Sequence, residues 1–466
     1  MLNRVKAAIA DPRFKDVFKF ALPVLADQFF LTVLLSVNLM FCSRAGVYVT
    51  SAVGNVDSIH TTANQIFLAL ATGGTVVVAR DIGAREPQNA AKAGWQAMLS
   101  GTLIVTLLSF IVWFFREPII LALYGKAEAE ITRLSLEYMS ISVFSYPLLY
   151  YSIQGFGVLR GFGDSRTPMN INAVTTAVNI LIGFVLIYGL DIGGTTIGGF
   201  GTHGVAWTLI MVRAVSCVLV TYTLFDKNRT GNLCGCVTLR LNAATLREIY
   251  GIGVPTSTES MIFMCGRLVT QSFISGMGTV AIAANNIGNS IMNYLALTSN
   301  AFIVVNTTMV GRAVGTGLRS ECRKAMNYTL MITQAMIVTI NLAIGLLSPI
   351  IVKLYIDDPV IEALTVSLVW SYVISSFVLQ NLSFVLPSGF RGAGDVNFTL
   401  VVAVASMWLC RVLMGYYLGV TLGLGVYGVW AAMYIDWIAR IAFFLWRYLT
   451  GGWLKHANLE DNACQE

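Results

Sequence analysis

The sequence is poor in charge. Of its 466 residues only 12% are Asp, Glu, Lys or Arg, about half the share of a soluble domain, which excludes an ordinary water-soluble globule. Histidine occurs three times, at His60, His203 and His456, too far apart to build a zinc site by spacing. Eight cysteines are scattered along the chain, and the tightest pair, Cys234 and Cys236, is a Cys-Gly-Cys. That spacing is closer than metal or redox motifs use, so it reads as an inert loop pair. No short apolar run at the N-terminus leads into a small-residue cleavage site, so no removable signal peptide is expected. Nor is there a convergent His/Asp/Glu or Ser/Lys set. These absences weigh against a membrane-embedded enzyme and against any resident cofactor or metal beyond a transported ion.

What is present is hydrophobicity: 56% of residues, with a mean hydropathy of +0.71. A bilayer core of about 30 Å takes about 20 apolar helical residues. Twelve such stretches can be read, near 16–42, 52–79, 93–115, 131–158, 169–190, 203–225, 249–276, 281–310, 325–350, 362–389, 398–420 and 427–449. The chain is also written twice. Pro23, Asp27, Gly46, Ala52, Arg80 and Gly83 recur 232 residues later as Pro255, Glu259, Gly278, Ala284, Arg312 and Gly315. Arg160-Gly161-Phe162-Gly163-Asp164 recurs at an offset of 231 as Arg391-Gly392-Ala393-Gly394-Asp395. Six spans per half is an even number, so both halves start on the same side and the repeats are parallel. The expected fold is therefore an all-α polytopic membrane protein: twelve transmembrane helices in two parallel six-helix repeats, forming a two-lobed carrier.

Basic residues set the sidedness. The N-terminus, the even-to-odd loops and the C-terminus hold 20 Lys and Arg, and the opposite loops hold 4. Both termini are thus expected in the cytoplasm. The net charge of +6 follows from positive loops at an anionic leaflet and calls for no nucleic-acid partner. The expected domains are an N-terminal lobe 1–225, a cytoplasmic linker 226–248, a C-terminal lobe 249–455 and a disordered tail 456–466. Residues 2–15 read either as a weakly amphipathic interfacial segment or as a solvated tail.

The chain resembles the multidrug and toxic compound extrusion family of secondary transporters over about residues 16–450. The resemblance rests on Ala21-Leu22-Pro23, Ser43-Arg44-Ala45-Gly46, the run Ala79–Ala84, and above all Gln154-Gly155 through Arg160–Asp164 to Thr167-Pro168. In the second half it rests on Gly253-Val254-Pro255, Ala283-Ala284-Asn285-Asn286 and Gly311–Gly315. It implies export of small, mostly cationic or amphipathic organic compounds in exchange for Na⁺ or H⁺, by a protein functional as a monomer in a bacterial plasma membrane. A flippase for a lipid-linked precursor is the alternative. It would need a wide basic cavity, which the few intramembrane arginines weigh against. Many relatives carry an aspartate where this chain has Asn38, and some pair it with an asparagine and an aspartate four apart, here Asn179 and Gly183. The family-type carboxylate site of the first lobe therefore does not carry over intact; Asn38 and Asn179 are what remains of it.

Ionisable groups inside spans are costly and mark candidate sites. Asp27 and Glu259 each follow their lobe's proline by four residues and are the ion-coupling candidates; the plainer reading is two polar groups at the cytoplasmic rim. Arg267 is a candidate counter-ion of Glu259 or a cavity residue. Asp436 and Arg440 lie four apart on one helical face, and with Arg411 read as a buried ion pair or a proton relay. Asn286, Asn289 and Asn293 share a face and read as interhelical glue or as cavity lining. Tyr150, Gln154 and Met261, with Tyr146 and Met292, add aromatic and soft contacts suited to organic substrates. Glu137 and Asp57 read as interfacial. The two Arg-Gly-x-Gly-Asp segments lack the lysine and strand of a phosphate-binding loop. They read as tight inter-helix turns, with Arg160 and Arg391 anchored at headgroups.

Overall fold

The computed structural model describes residues 11–125, 128–192, 195–227, 232–457 and 459. The expectations for residues 2–10 and for most of the tail beyond 457 lie outside the described residues. In the first half the helices are α1 (Pro12–Ala45), α2 (Val47–Gly83), α3 (Pro87–Phe114), α4 (Arg116–Tyr124), α5 (Ala129–Ser142), α6 (Tyr146–Gly161), α7 (Arg166–Tyr188) and α8 (Gly201–Leu224). In the second half they are α9 (Ala243–Ser275), α10 (Thr279–Leu295), α11 (Leu297–Gly315), α12 (Arg319–Lys353), α13 (Pro359–Ser376), α14 (Leu386–Gly392), α15 (Val396–Thr421) and α16 (Gly425–Leu449). The only strands among the described residues form a small hairpin, Leu190–Ile192 against Thr195–Ile197, between α7 and α8.

Every one of the twelve expected stretches is helical, but four depart from a regular helix, the eleventh by widened turns at Met407–Leu413 and Tyr417–Thr421. The fourth passes from α5 through a tight turn, Val143–Ser145, into α6, where Pro147 supplies no backbone donor. The eighth breaks at Ala296, between α10 and α11. The tenth carries a widened turn at Asn381–Val385, just before Pro387. Among the described residues nine helices are by themselves long and apolar enough to cross a membrane. The fourth and eighth are broken, and the seventh, α9, carries Glu259 and Arg267 within one continuous helix.

The packing separates the chain into two compact units. The N-terminal unit comprises Ala26–Ile82 and Glu86–Ser257; the C-terminal unit comprises Met1–Leu25, Gly83–Arg85 and Thr258–Glu466. Helix α1 changes unit after Leu25 and α9 after Ser257, two residues past Pro23 and Pro255 respectively. The described part of the inter-half segment is docked and not loose. Trp95 Nε1 donates to the Thr238 carbonyl at 2.9 Å, Gln96 Nε2 donates to the Arg240 carbonyl at 2.8 Å, and Leu233 is buried.

Close helix approach needs small residues, because lipid offers no hydrophobic push between helices. In the N-terminal unit α3 presents Gly94 and Gly101 to α6. A Cβ on Gly101 would lie 2.2 Å from the Tyr150 hydroxyl, and one on Gly94 would lie 3.0 Å from Val158. Aromatic side chains then fill the core: Phe67 packs edge-on against Tyr146 and Tyr150, all three buried. The C-terminal unit is built around larger rings. Trp430 lies over Gly288 and donates to Asn285, while Phe390 packs against Phe444 and Trp453.

The two Arg-Gly-x-Gly-Asp segments fold alike. Gly163 has φ +93 and Gly394 has φ +86. In each, the glycine N–H returns to the arginine carbonyl (2.8 and 3.0 Å) and the aspartate N–H to the carbonyl five residues back (2.9 Å in both). This is the Schellman ending of a helix, which favours glycine at the left-handed position. A Cβ at Gly394 would meet nothing within 4 Å, so its constraint is purely conformational. Gly394→Ala is expected to cost about 1–2 kcal/mol, and Gly394→Asn less. Thermal unfolding of the detergent-solubilised protein checks this ranking.

Candidate functional site

The duplicated acids are each paired with the duplicated arginine of their own unit. Asp27, on α1, is fully buried and accepts from the Arg160 guanidinium and from Asn172 Nδ2. Arg160 is itself buried, so the expectation of a headgroup anchor is corrected. A helix-end arginine has no need to reach outward when a buried carboxylate stands within reach, and an unpaired charge there would be costly. Glu259, on α9, lies 3.7 Å from Arg391 Nη1 and accepts from Thr399 Oγ1 at 3.4 Å. Its counter-ion is therefore Arg391 and not Arg267. Both side chains of this second pair are 15% exposed, against 0% for Asp27 and 8% for Arg160. The first pair is tight and sealed; the second is loose and partly open.

Further along α9, Glu259, Phe263, Arg267 and Gln271 recur every four residues and so lie along one side of the helix. Gln271 Oε1 accepts from Asn285 at 3.0 Å, and Gln271 Nε2 reaches Asn286 at 3.5 Å, joining α9 to α10. Asn286 and Asn293 are exposed and Asn289 half-buried, whereas Asn285 is buried between Gln271 and Trp430. Met261 is exposed as well.

Asp436 and Arg440 form the expected ion pair on α16, Nε to Oδ1 at 2.9 Å, with both residues buried. Arg440 also donates to the Ala403 carbonyl at 3.4 Å. Arg411 does not complete a three-membered ion pair. Its guanidinium instead lies 5.7 Å from the centre of the Phe263 ring, and that of Arg440 lies 5.3 Å from the same ring. Asp436 keeps one carboxylate oxygen without a hydrogen-bond partner.

The N-terminal unit holds its candidates differently. Tyr150 and Gln154 are buried, the tyrosine donating to the glutamine at 3.3 Å, so in this structure neither presents a surface to a ligand. Asn179 is buried in α7. Asn38 lies on α1, and its side chain is outside what the structure describes. A polar network missed at the sequence level occupies the core: His60 bonds Tyr146 Oη at 2.8 Å and Ser142 Oγ at 2.9 Å. Beside it, Tyr138 donates to Asp57 at 3.2 Å and Arg213 donates to Ser145. The spacing of Asp57 and His60, three apart inside an apolar span, was the available signal.

The MatE family model matches residues 23–185 and again 255–417, once per half. Among curated proteins, the chain is 24% identical to the probable multidrug resistance protein NorM of Thermotoga maritima, covering 97% of this chain and 96% of that protein. It is 27% identical to the NorM-named protein of Listeria monocytogenes (90% and 91% covered) and 22% identical to the uncharacterized transporter YisQ of Bacillus subtilis (94% and 95%). Among solved structures it superposes on a multidrug resistance MATE family transporter of the MOP superfamily in an outward-facing conformation. That match has a TM-score of 0.84 at 22% identity, covering 97% and 98% of the two chains. A MOP superfamily transporter from Pyrococcus furiosus, described as having a binding pocket of reverse polarity, also superposes with a TM-score of 0.84, at 21% identity over 96% and 98%.

Removing Arg160 leaves the Asp27 carboxylate buried without its cation. Arg160→Leu is therefore expected to destabilise the protein by about 3–5 kcal/mol, and Arg391→Leu by clearly less, because Glu259 keeps access to solvent. Melting curves and yields of folded protein for the two variants test the order.

Proposed function

Because the chain belongs to the MatE family of membrane transporters, we propose that it is a secondary active exporter of small, mostly cationic or amphipathic organic compounds. It exchanges them for Na⁺ or H⁺ by alternating access. The observation that carries this reading is the difference between the two acid–arginine pairs. Both halves inherit the pair, but only Glu259 is loosely held and partly exposed. An ion that drives a carrier must reach its site and must bind one conformation better than the other. Glu259 meets the first condition. A proton or Na⁺ arriving there competes with Arg391 for the same carboxylate, which couples occupancy to the position of α14 and α15, where Arg391 and Thr399 sit. Asp27, sealed between Arg160 and Asn172, acts in this reading as a lock and not as the exchanging acid.

The remaining parts of the reading follow from the sequence. The excess of basic residues on one set of loops supports cytoplasmic termini in a bacterial plasma membrane. Two fused halves support a carrier complete as a monomer, with lipids as its surroundings and no nucleic-acid partner.

The test is accumulation of fluorescent amphipathic dyes, one cationic and one anionic, in inside-out vesicles under a Na⁺ gradient, a pH gradient or neither. Gradient-dependent uptake by wild type, lost in Glu259→Gln at normal membrane yield, is the expected result, and the effective gradient identifies the ion. Full uptake by the variant removes Glu259 from coupling.

A further inference from the structure

Three arginines of the C-terminal unit converge where one carboxylate is available. Arg440 uses Asp436. Arg411, midway along α15, shares the Phe263 ring with Arg440. Arg267 is one turn beyond Phe263 on α9, and it and Arg411 both act electrostatically on the buried Tyr372 hydroxyl and on each other. Among the described residues neither the Arg267 nor the Arg411 guanidinium has a hydrogen-bond or ion-pair partner. The cluster thus holds two uncompensated positive charges within membrane-spanning helices.

A guanidinium does not shed its proton at these positions, so the charge stays. An arginine facing hydrocarbon is expensive, and intramembrane charges face water, protein or a substrate path. Arg267 is exposed and Arg411 half-buried, so Arg267 is open to a ligand and Arg411 stands behind it at the edge of the packed core. Their planar forks suit a carboxylate or sulfonate, which each can hold with two parallel hydrogen bonds. The neighbouring wall is aromatic, made by Phe263, and continues along the same side of α9 into the neutral amide of Gln271 and, beside it, that of Asn286.

We propose that Arg267 and Arg411 form a binding site for the anionic group of an amphipathic organic substrate, a carboxylate or sulfonate carried on an aromatic body. The Arg440–Asp436 pair forms its neutral floor. This deepens the exporter reading and shifts its cargo from cations towards anions and zwitterions.

The probes are naphthalenesulfonate and its uncharged sulfonamide, titrated calorimetrically against the full chain in phosphatidylcholine nanodiscs. Wild type should bind the sulfonate at least about tenfold more tightly than the sulfonamide. Arg267→Gln and Arg411→Gln should each weaken the sulfonate about tenfold or more and leave the sulfonamide unchanged. Neither arginine has a carboxylate to strand, so Arg267→Gln should keep the wild-type melting temperature and Arg411→Gln, which gives up only its contact with the Phe263 ring, should lower it little. The comparison of probes on wild type alone decides the matter if either does otherwise. Equal affinity for the two probes overturns the proposal, as does sulfonate binding indifferent to both substitutions. Loss of sulfonate binding when phosphatidylglycerol is added to the nanodiscs also overturns it, assigning the arginines to a lipid headgroup. No gradient is involved, so the two readings fail separately. Arginine-dependent sulfonate binding without driven dye uptake sinks the exporter and keeps the anion site; driven uptake without such binding does the reverse.

Discussion

Hydrocarbon gives a polar group no water to bond, so each one inside a span must find its partner in protein or line a wet surface. The arrangement of this chain follows from that constraint. Asp27 is held by Arg160 and Asn172, and Asp436 by Arg440. The carbonyl of Val385, in the widened turn before Pro387, is taken by Asn306 at 2.7 Å, and that of Leu330 by Asn381 at 2.9 Å. His60 is saturated by Tyr146 and Ser142. Against this background the partly exposed Glu259 stands out, as do Arg267 and Arg411, whose guanidiniums have no carboxylate partner among the described residues. All three lie in the C-terminal unit.

The two halves solve equivalent packing problems with different residues. Position 74 is glycine, and the buried Gln154 side chain lies over it; a Cβ there would come within 2.4 Å of the amide. The corresponding position 306 is asparagine, and it reaches instead to the backbone of Val385, the counterpart of Gln154. The amide is kept and its owner exchanged. The acids diverge in the same manner. Asparagine 172 closes the first carboxylate in, while its counterpart Ala403 has no amide to offer, and Thr399 makes only a 3.4 Å contact. Loss of symmetry at this one layer separates a structural pair from an accessible one.

Much was legible without coordinates. Hydropathy and the offset of 232 located all twelve spans, because a bilayer dictates helix length and duplication preserves register. The Arg-Gly-x-Gly-Asp turns were legible because a helix ending in left-handed geometry favours glycine. The Asp436–Arg440 pair was legible because four residues is one helical turn. Each of these rests on local geometry.

Which helix meets which was not legible along the chain. The partner of Glu259 is Arg391, 132 positions away, and not Arg267, eight away on its own helix. Arg160 turned inward to Asp27. Arg411 settled on Phe263, apart from the ion pair it was expected to join. The network of Asp57, His60, Tyr138, Tyr146 and Arg213 assembles from α2, α5, α6 and α8. The sequence alone determined a duplicated, twelve-span, all-helical chain with an acid after each lobe's proline, since span length, register and proline chemistry act within a single helix. Which acid is sealed, which is open and where positive charge is left over were decided only by tertiary structure, because charge pairing in a membrane depends on distances between helices that no spacing along the chain encodes.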